Sequence, residues 1–242
     1  LNDEGTGGEA TTAATKGLRQ KLTPAQRAMV WAVRLVLLCL LYKFIRNRSI
    51  GDPWPLLRSR TFPALVLWVT FFVYWSIAGR NSAPTKTSES KASSYFHQIV
   101  LSGALLLLFF PVRGLTAAFL PQTLLFVVVG AIVQAAFMVL AIWARRHLGR
   151  NWSAEVRIGE AHELVRTGPY RRLRHPIYTA MLGMFAGTTI ASGQYHALVG
   201  VAVLIVAYLR KTRLEEEILR KTFGADFEAY YRDSWALVPY VF

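Results

Sequence analysis

The chain has 242 residues, 53% of them hydrophobic, a formal net charge of +14 and a mean hydropathy of +0.31. This composition argues against ordinary soluble domains and for a polytopic membrane protein. The basic residues lie between apolar runs, as positive-inside loops beside anionic headgroups do, and no nucleic-acid-binding motif accompanies them, so membrane lipids rather than nucleic acid are the expected partners.

Residues 1–25 read as a disordered or weakly helical tail, and residues 1–15 lack the basic-then-apolar order of a secretory signal. Membrane segments are predicted at about 27–45, 62–79, 96–111, 121–144, 176–191 and 195–210. The expected fold is therefore an all-α bundle of five to six membrane segments, divided into N-terminal helices over 26–145 and a C-terminal region over 146–242. The first segment is the weakest, because Arg34 lies inside it; its Cys39, the single cysteine, excludes an intrachain disulfide and reads as a packed thiol. Gly51-Asp-Pro-Trp-Pro55 breaks the chain, and the polar stretch 80–94 reads as a loop. The fourth segment is the clearest: Pro121 opens it, and Gln134 is its only strongly polar side chain before Arg145. The last two segments, separated by Ala191-Ser-Gly-Gln194, form a helical hairpin over 176–210. Six crossings put loops 80–94 and 145–175 on one side; the second holds eight arginines, which makes that side cytoplasmic. Arg46, Arg48, Arg58 and Arg60 disagree, since they fall on the other side.

Polar chemistry is concentrated in His162–Tyr178 and Lys211–Glu217, which flank the hairpin and so meet at one membrane surface. Gly168-Pro169 forces a turn, with the glycine expected in extended geometry, and sends Tyr170 into a new element. Pro176 sits in the first turn of the fifth segment, where free N–H groups can hold an anion, and His175 and Tyr178 share one helical face. Each feature also has a plain explanation: a loop turn, a histidine cap, and positive-inside arginines at Arg171 and Arg172. Arg174, adjacent to His175, is the better candidate for a specific contact. Glu216–Arg220 and Glu217–Lys221 have the spacing of solvent ion pairs, whereas Glu215 faces Leu219 at i+4 and is left for a ligand. No metal-ligand spacing, nucleophile elbow, phosphate loop or dinucleotide fingerprint is present, so no metal is expected.

His162-x-Leu-Val, Gly168-Pro-Tyr, Arg174-His-Pro-x-Tyr178 and Glu215-Glu216-x-x-Leu219-x-x-x-Phe223-Gly224 together resemble the isoprenylcysteine carboxyl methyltransferase family and, more loosely, membrane phospholipid methyltransferases. The likeness covers about residues 147–242; the first 145 match only in being transmembrane. It implies an integral membrane enzyme that uses S-adenosyl-L-methionine, with its active site facing the cytoplasm and a lipid or prenylated acceptor. By position it assigns cofactor contacts to His162, Glu163, Leu164, Val165, Tyr170, His175, Pro176, Ile177, Tyr178 and Glu215. Glu155 falls where the family can place a glutamine. Arg174, His175 and Glu216 are then the catalytic candidates. Lys211, with Arg174, falls to the substrate, although eukaryotic members place an arginine at the lysine's position and a lysine lacks its bidentate fork. A carboxyl acceptor, with a pKa near ~3.5, needs no general base, whereas an ammonium acceptor would draw on Glu216 or Tyr178. Two rival readings stay open: an NADPH-dependent membrane sterol or enone reductase, whose related motif usually follows the tyrosine with Gly-Glu rather than Thr179-Ala180, and a non-catalytic scaffold.

Overall fold

Proline and glycine set most of the helix boundaries in the computed structural model, which describes residues 59–79, 91–149 and 164–240 together with the backbone of 86–87 and 157–158. The helices are α1 (Phe62–Ala78), α2 (Lys91–Phe109), α3 (Leu124–Leu148), α4 (Pro176–Ser192), α5 (Tyr195–Phe223) and α6 (Ala225–Arg232), with a 3-10 turn at Gly168–Arg171. Pro63 and Pro176 stand in the first turns of α1 and α4, where a missing N–H is not felt. Gly193 ends α4 in the left-handed region at φ +64°, its N–H returning to the Thr189 carbonyl. Arg145, Arg146 and His147 close α3 and complement its dipole. The predicted tail at 1–25, the segment at 27–45 with Arg34 and Cys39, and the break at 51–55 lie outside the described residues.

The predicted all-helical class needs one small addition: β1 (Lys86–Thr87) pairs antiparallel with β2 (Arg157–Ile158). This pairing joins the two loops predicted to share a side, and Arg210 Nη2 donates to Ser93 Oγ at 2.7 Å at the same end. At the opposite end Arg60 reaches Gln122 (2.8 Å), and Phe119 and Tyr195 exchange backbone bonds with Gly193 and Ala117. Pro121 does not open α3 as expected; the helix starts at Leu124, because Gln122 is drawn to the Ser192 carbonyl instead.

α3 and α4 make the most extensive contact, and glycines allow it. A Cβ on Gly187 would stand 2.6 Å from the Gly130 carbonyl oxygen and the Gln134 nitrogen, so the two backbones nearly touch. Gln134 is fully buried: its amide donates to the Ala64 carbonyl (2.9 Å), and its oxygen lies 3.2 Å from the Thr188 hydroxyl, which also receives the Trp68 indole (3.0 Å). The polar residue of the fourth segment is thus glue between α1, α3 and α4. Phe71, Phe72 and Phe185 pack around Trp68.

Among the described residues, two helical stretches are long and apolar enough to cross a membrane, 92–109 and 124–148. Only 22% of the second is buried, and Leu124, Leu125, Ile132 and Val139 are each more than 60% exposed, which suits a lipid-facing helix and not a soluble core. Of the predicted segments that fall among the described residues, two are therefore met on length and composition. α1 has 17 residues, α4 has 17, and α5 runs on without a break into a polar half.

Candidate active site

The two polar clusters of the sequence meet where the start of α4 faces the polar half of α5. His175 stands at the N-cap position of α4 but makes no side-chain cap bond. Its ring is 5% exposed and lies between two carboxylates, Nδ1 at 3.2 Å from Glu215 Oε2 and Nε2 at 3.3 Å from Glu216 Oε1. The Tyr178 hydroxyl donates to Glu215 Oε1, and the His175, Tyr178 and Tyr208 rings form a stack with centroid separations of 5.6 and 4.6 Å. Arg174 Nε donates to Glu216 Oε1 at 2.7 Å; its Nη1 reaches the carbonyls of Ser234 and Tyr231, and its guanidinium lies 4.1 Å from the Tyr231 ring centroid.

The C-terminal residues hold this turn from behind. Leu173 and Trp235 form a parallel bridge; Arg174 and His175 donate their N–H groups to the carbonyls of Trp235 and Ala236, and the Thr179 hydroxyl donates to the Leu237 carbonyl (2.6 Å). The Tyr230 hydroxyl donates to the Tyr170 carbonyl (2.6 Å). None of this was visible in sequence. The expected anion cradle at the helix start is smaller than a bare N-terminus offers: Pro176 has no N–H, and those of Tyr178 and Thr179 both turn back to the His175 carbonyl.

Two sequence expectations about the carboxylates are corrected. Glu216 does not pair with Arg220, which goes to Glu228; Glu216 is 12% exposed and holds Arg174 and His175. Glu217–Lys221 does form, exposed, at 2.6 Å. Glu215 has a helical neighbour after all, one turn back at Lys211, whose positive charge acts on it. Lys211 is 2% exposed, so in this structure it balances the cluster's charge more than it projects toward a substrate. Gly168 is not extended: its φ is +58°, a region open to glycine, and a Cβ there would meet the His147 ring at 2.7 Å. His147 Nε2 lies 2.6 Å from the Thr167 hydroxyl, locking the turn to the end of α3.

Of the residues named from sequence, Arg174, His175, Tyr178, Lys211, Glu215 and Glu216 come together. Pro176 is buried as the first residue of α4, Ile177 packs on the apolar core, and Tyr170 is buried in the 3-10 turn. Leu164 and Val165 lie half-buried on the approach to that turn. Glu155, His162 and Glu163 lie outside the described residues. Tyr208 was missed, though an aromatic at an apolar-to-polar boundary is a readable signal.

Burial alone would lower the His175 pKa, but the hydrogen bonds and charges of Glu215 and Glu216 outweigh it and hold the imidazolium above its ordinary value. Burial would likewise raise both glutamates. Hydrogen bonding to His175 outweighs it in each, helped by Lys211 and Tyr178 at Glu215 and by Arg174 at Glu216, so both lie below the usual carboxylate value. The signs define a window. The histidine's contribution to stability is complete below its unfolded pKa of ~6.5 and is lost as pH rises through the raised value; the carboxylate contributions are complete above ~4.3 and are lost as pH falls through the lowered values. The thermal midpoint in detergent is expected to peak between roughly pH 5 and 6.5 and to fall on both sides. His175→Gln should flatten the alkaline limb, and an unchanged limb would dismiss the cluster as its source.

A family model described as phospholipid methyltransferase matches residues 125–226, which include every residue of the cluster. Residues 125–226 are thus similar to a class of methyltransferases. The chain is also 29% identical over 121 residues to protein-S-isoprenylcysteine O-methyltransferase A of Arabidopsis thaliana, covering 49% of this chain and 58% of the relative. It is 26% identical over 121 residues to a probable protein-S-isoprenylcysteine O-methyltransferase of Oryza sativa subsp. indica, covering 49% and 60%. The matched stretch is thus less than two thirds of these relatives' length. A solved structure of the eukaryotic intramembrane Ras methyltransferase ICMT (isoprenylcysteine carboxyl methyltransferase) is 14% identical, with a TM-score of 0.42, covering 91% of this chain and 99% of that one. The resemblance to the isoprenylcysteine carboxyl methyltransferase family, read from His162 to Gly224, is borne out.

Proposed function

We propose that this chain is an integral membrane methyltransferase that uses S-adenosyl-L-methionine to methylate the carboxylate of a lipophilic, isoprenylcysteine-like acceptor. In this reading residues 146–242 carry the chemistry on the cytoplasmic side, and residues 26–145 anchor it in the bilayer. The observation that supports it most is the convergence of His175, Tyr178, Glu215, Glu216 and Arg174, drawn from two sequence clusters, at the polar end of apolar helices.

The donor set fits the cofactor. When bound, it would supply a methyl group on a positively charged sulfur, along with an amino-acid head. The carboxylates of Glu215 and Glu216 suit a cationic ligand, since each keeps lone pairs beyond those already engaged. Tyr170, Tyr178 and the His175 turn supply walls and hydrogen-bonding groups. Catalysis of such a displacement rests on alignment and exclusion of water, which the buried, cross-braced turn favours.

The electrostatics favour a carboxyl acceptor over an amine. Both His175 nitrogens face carboxylates, Glu215 and Glu216 are held below their ordinary pKa, and the Tyr178 hydroxyl donates to Glu215. No member of the cluster is poised to take a proton from an ammonium near neutrality, and a carboxylate asks for none.

Calorimetry on detergent-purified protein tests the cofactor. S-adenosylhomocysteine is expected to bind, NADPH not, and Glu215→Ala to lose at least about ten-fold in affinity, the weight of one charge-assisted contact. Binding of NADPH alone would replace this reading with a reductase. With the cofactor established, methyl transfer to a farnesylated cysteine but not to phosphatidylethanolamine would support the acceptor class, and the reverse would make the chain a phospholipid N-methyltransferase.

A further inference from the structure

Beside the 3-10 turn lies a cleft of about 420 Å³ lined by Arg166, Arg171, Arg172, Tyr230, Asp233, Trp235 and Tyr240. Its walls are guanidinium groups and aromatic rings, with one carboxylate. Arg166 has an outside partner, the largely exposed Asp226 at 3.6 Å, and lies 5.9 Å from the Tyr230 ring centroid. Among the described residues neither Arg171 nor Arg172 has a carboxylate partner. Within the lining, Trp235 and Tyr240 pack together with ring centroids 4.7 Å apart, and Tyr240 is 84% exposed.

The depth of the cleft relative to a bilayer can be read from α3. That helix exposes apolar side chains along its length and ends in Arg145, Arg146 and His147, so its end marks the hydrocarbon boundary. His147 is bonded to Thr167, directly before the 3-10 turn that carries Arg171. Arg171 and Arg172 therefore stand at headgroup level, beside a tryptophan and a tyrosine of the kind that settles there.

We infer that this cleft binds the phosphodiester of an anionic membrane lipid headgroup, with the Arg171 and Arg172 guanidinium groups as its principal donors and Trp235 and Tyr240 against the glycerol region. Planar guanidinium groups match phosphate oxygens in pairs, and the excess of positive charge in the lining selects an anionic lipid over a zwitterionic one. The site is separate from the proposed methyl-transfer cluster, but the two share a backbone: the Tyr230 side chain lines the cleft, and its hydroxyl holds the carbonyl of Tyr170.

The test is calorimetric titration of the whole chain in neutral detergent with short-chain phosphatidylglycerol, short-chain phosphatidylcholine and inorganic phosphate. Phosphatidylglycerol is expected to saturate one site per chain, at least ten-fold tighter than either of the others. Arg171→Gln with Arg172→Gln should lose that binding, whereas Arg146→Gln with Arg213→Gln, which removes equal charge from exposed positions outside the cleft, should retain it. Unchanged S-adenosylhomocysteine binding in the first pair would show that the turn is still folded, and circular dichroism serves if that ligand does not bind. Equal weakening by both pairs would mean a diffuse positive surface and would overturn the proposal. Inorganic phosphate binding as tightly as the lipid would overturn it too, by assigning a soluble ligand, as would no saturable binding at all. Since the readout is lipid binding, its failure and the failure of the methyltransferase reading are told apart.

Discussion

Glu216→Ala is expected to destabilise the protein by ~3–5 kcal/mol, because it removes one partner from a buried ion pair and leaves the other charge uncompensated. Arg174 is 6% exposed at its side chain, and Glu216 is its carboxylate partner as well as the second anchor of His175. Glu217→Ala, one residue on, removes an exposed pair and should leave the thermal midpoint unchanged. Arg220→Ala should likewise fail to reproduce the loss, since Arg220 pairs with Glu228. Thermal unfolding in detergent micelles checks all three. A Glu216→Ala midpoint no lower than that of Glu217→Ala would mean that the Arg174–Glu216 contact contributes little in solution.

That contrast shows how far a local reading goes. Lys221 was paired correctly because both partners lie on one helix, where spacing alone decides. The same rule gave Glu216 the wrong partner, since a neighbour four residues away is always on offer and a stronger one from the start of α4 cannot be seen. Glu215 stands out in the sequence by its apolar i+4 position, but its charged helical neighbour is Lys211 at i−4. Gly168 was misjudged because the rule for residues before proline describes those with a Cβ, and glycine escapes it. The residues from Ser234 to Leu237 left no trace, because most of their bonds use backbone groups that every residue type supplies. The helices themselves were legible from apolar length. Their count across the membrane was not, because a 17-residue apolar helix reads alike as a short crossing or a buried strut.

Gly187→Val should be the most damaging change within the bundle. Any Cβ at this position meets the Gly130 carbonyl and the Gln134 nitrogen at 2.6 Å, and both are backbone atoms that no rotamer change can move aside. α3 and α4 would have to separate along their largest contact, at a cost of about 3 kcal/mol or more by analogy with overpacked cores. Their separation would also pull Gln134 from the Ala64 carbonyl and from Thr188. Gly103→Ala provides the control: it too is a helical glycine, but nothing lies within 4 Å of its added Cβ. It should be neutral or stabilising by up to ~1 kcal/mol, the usual helix-propensity gain. If both variants unfold at the same temperature, the close approach of α3 and α4 does not govern stability.

Two of the contacts that hold Arg174, to the carbonyl and hydroxyl of Ser234, come from sixty residues further along the chain. A ribosome adds ~5–20 residues per second, so Ser234 follows Arg174 by ~3–12 seconds. By the end of that interval Arg174, His175, Glu215 and Glu216 have all been made. Their contacts are complete only once the C-terminal residues that brace the turn have followed them.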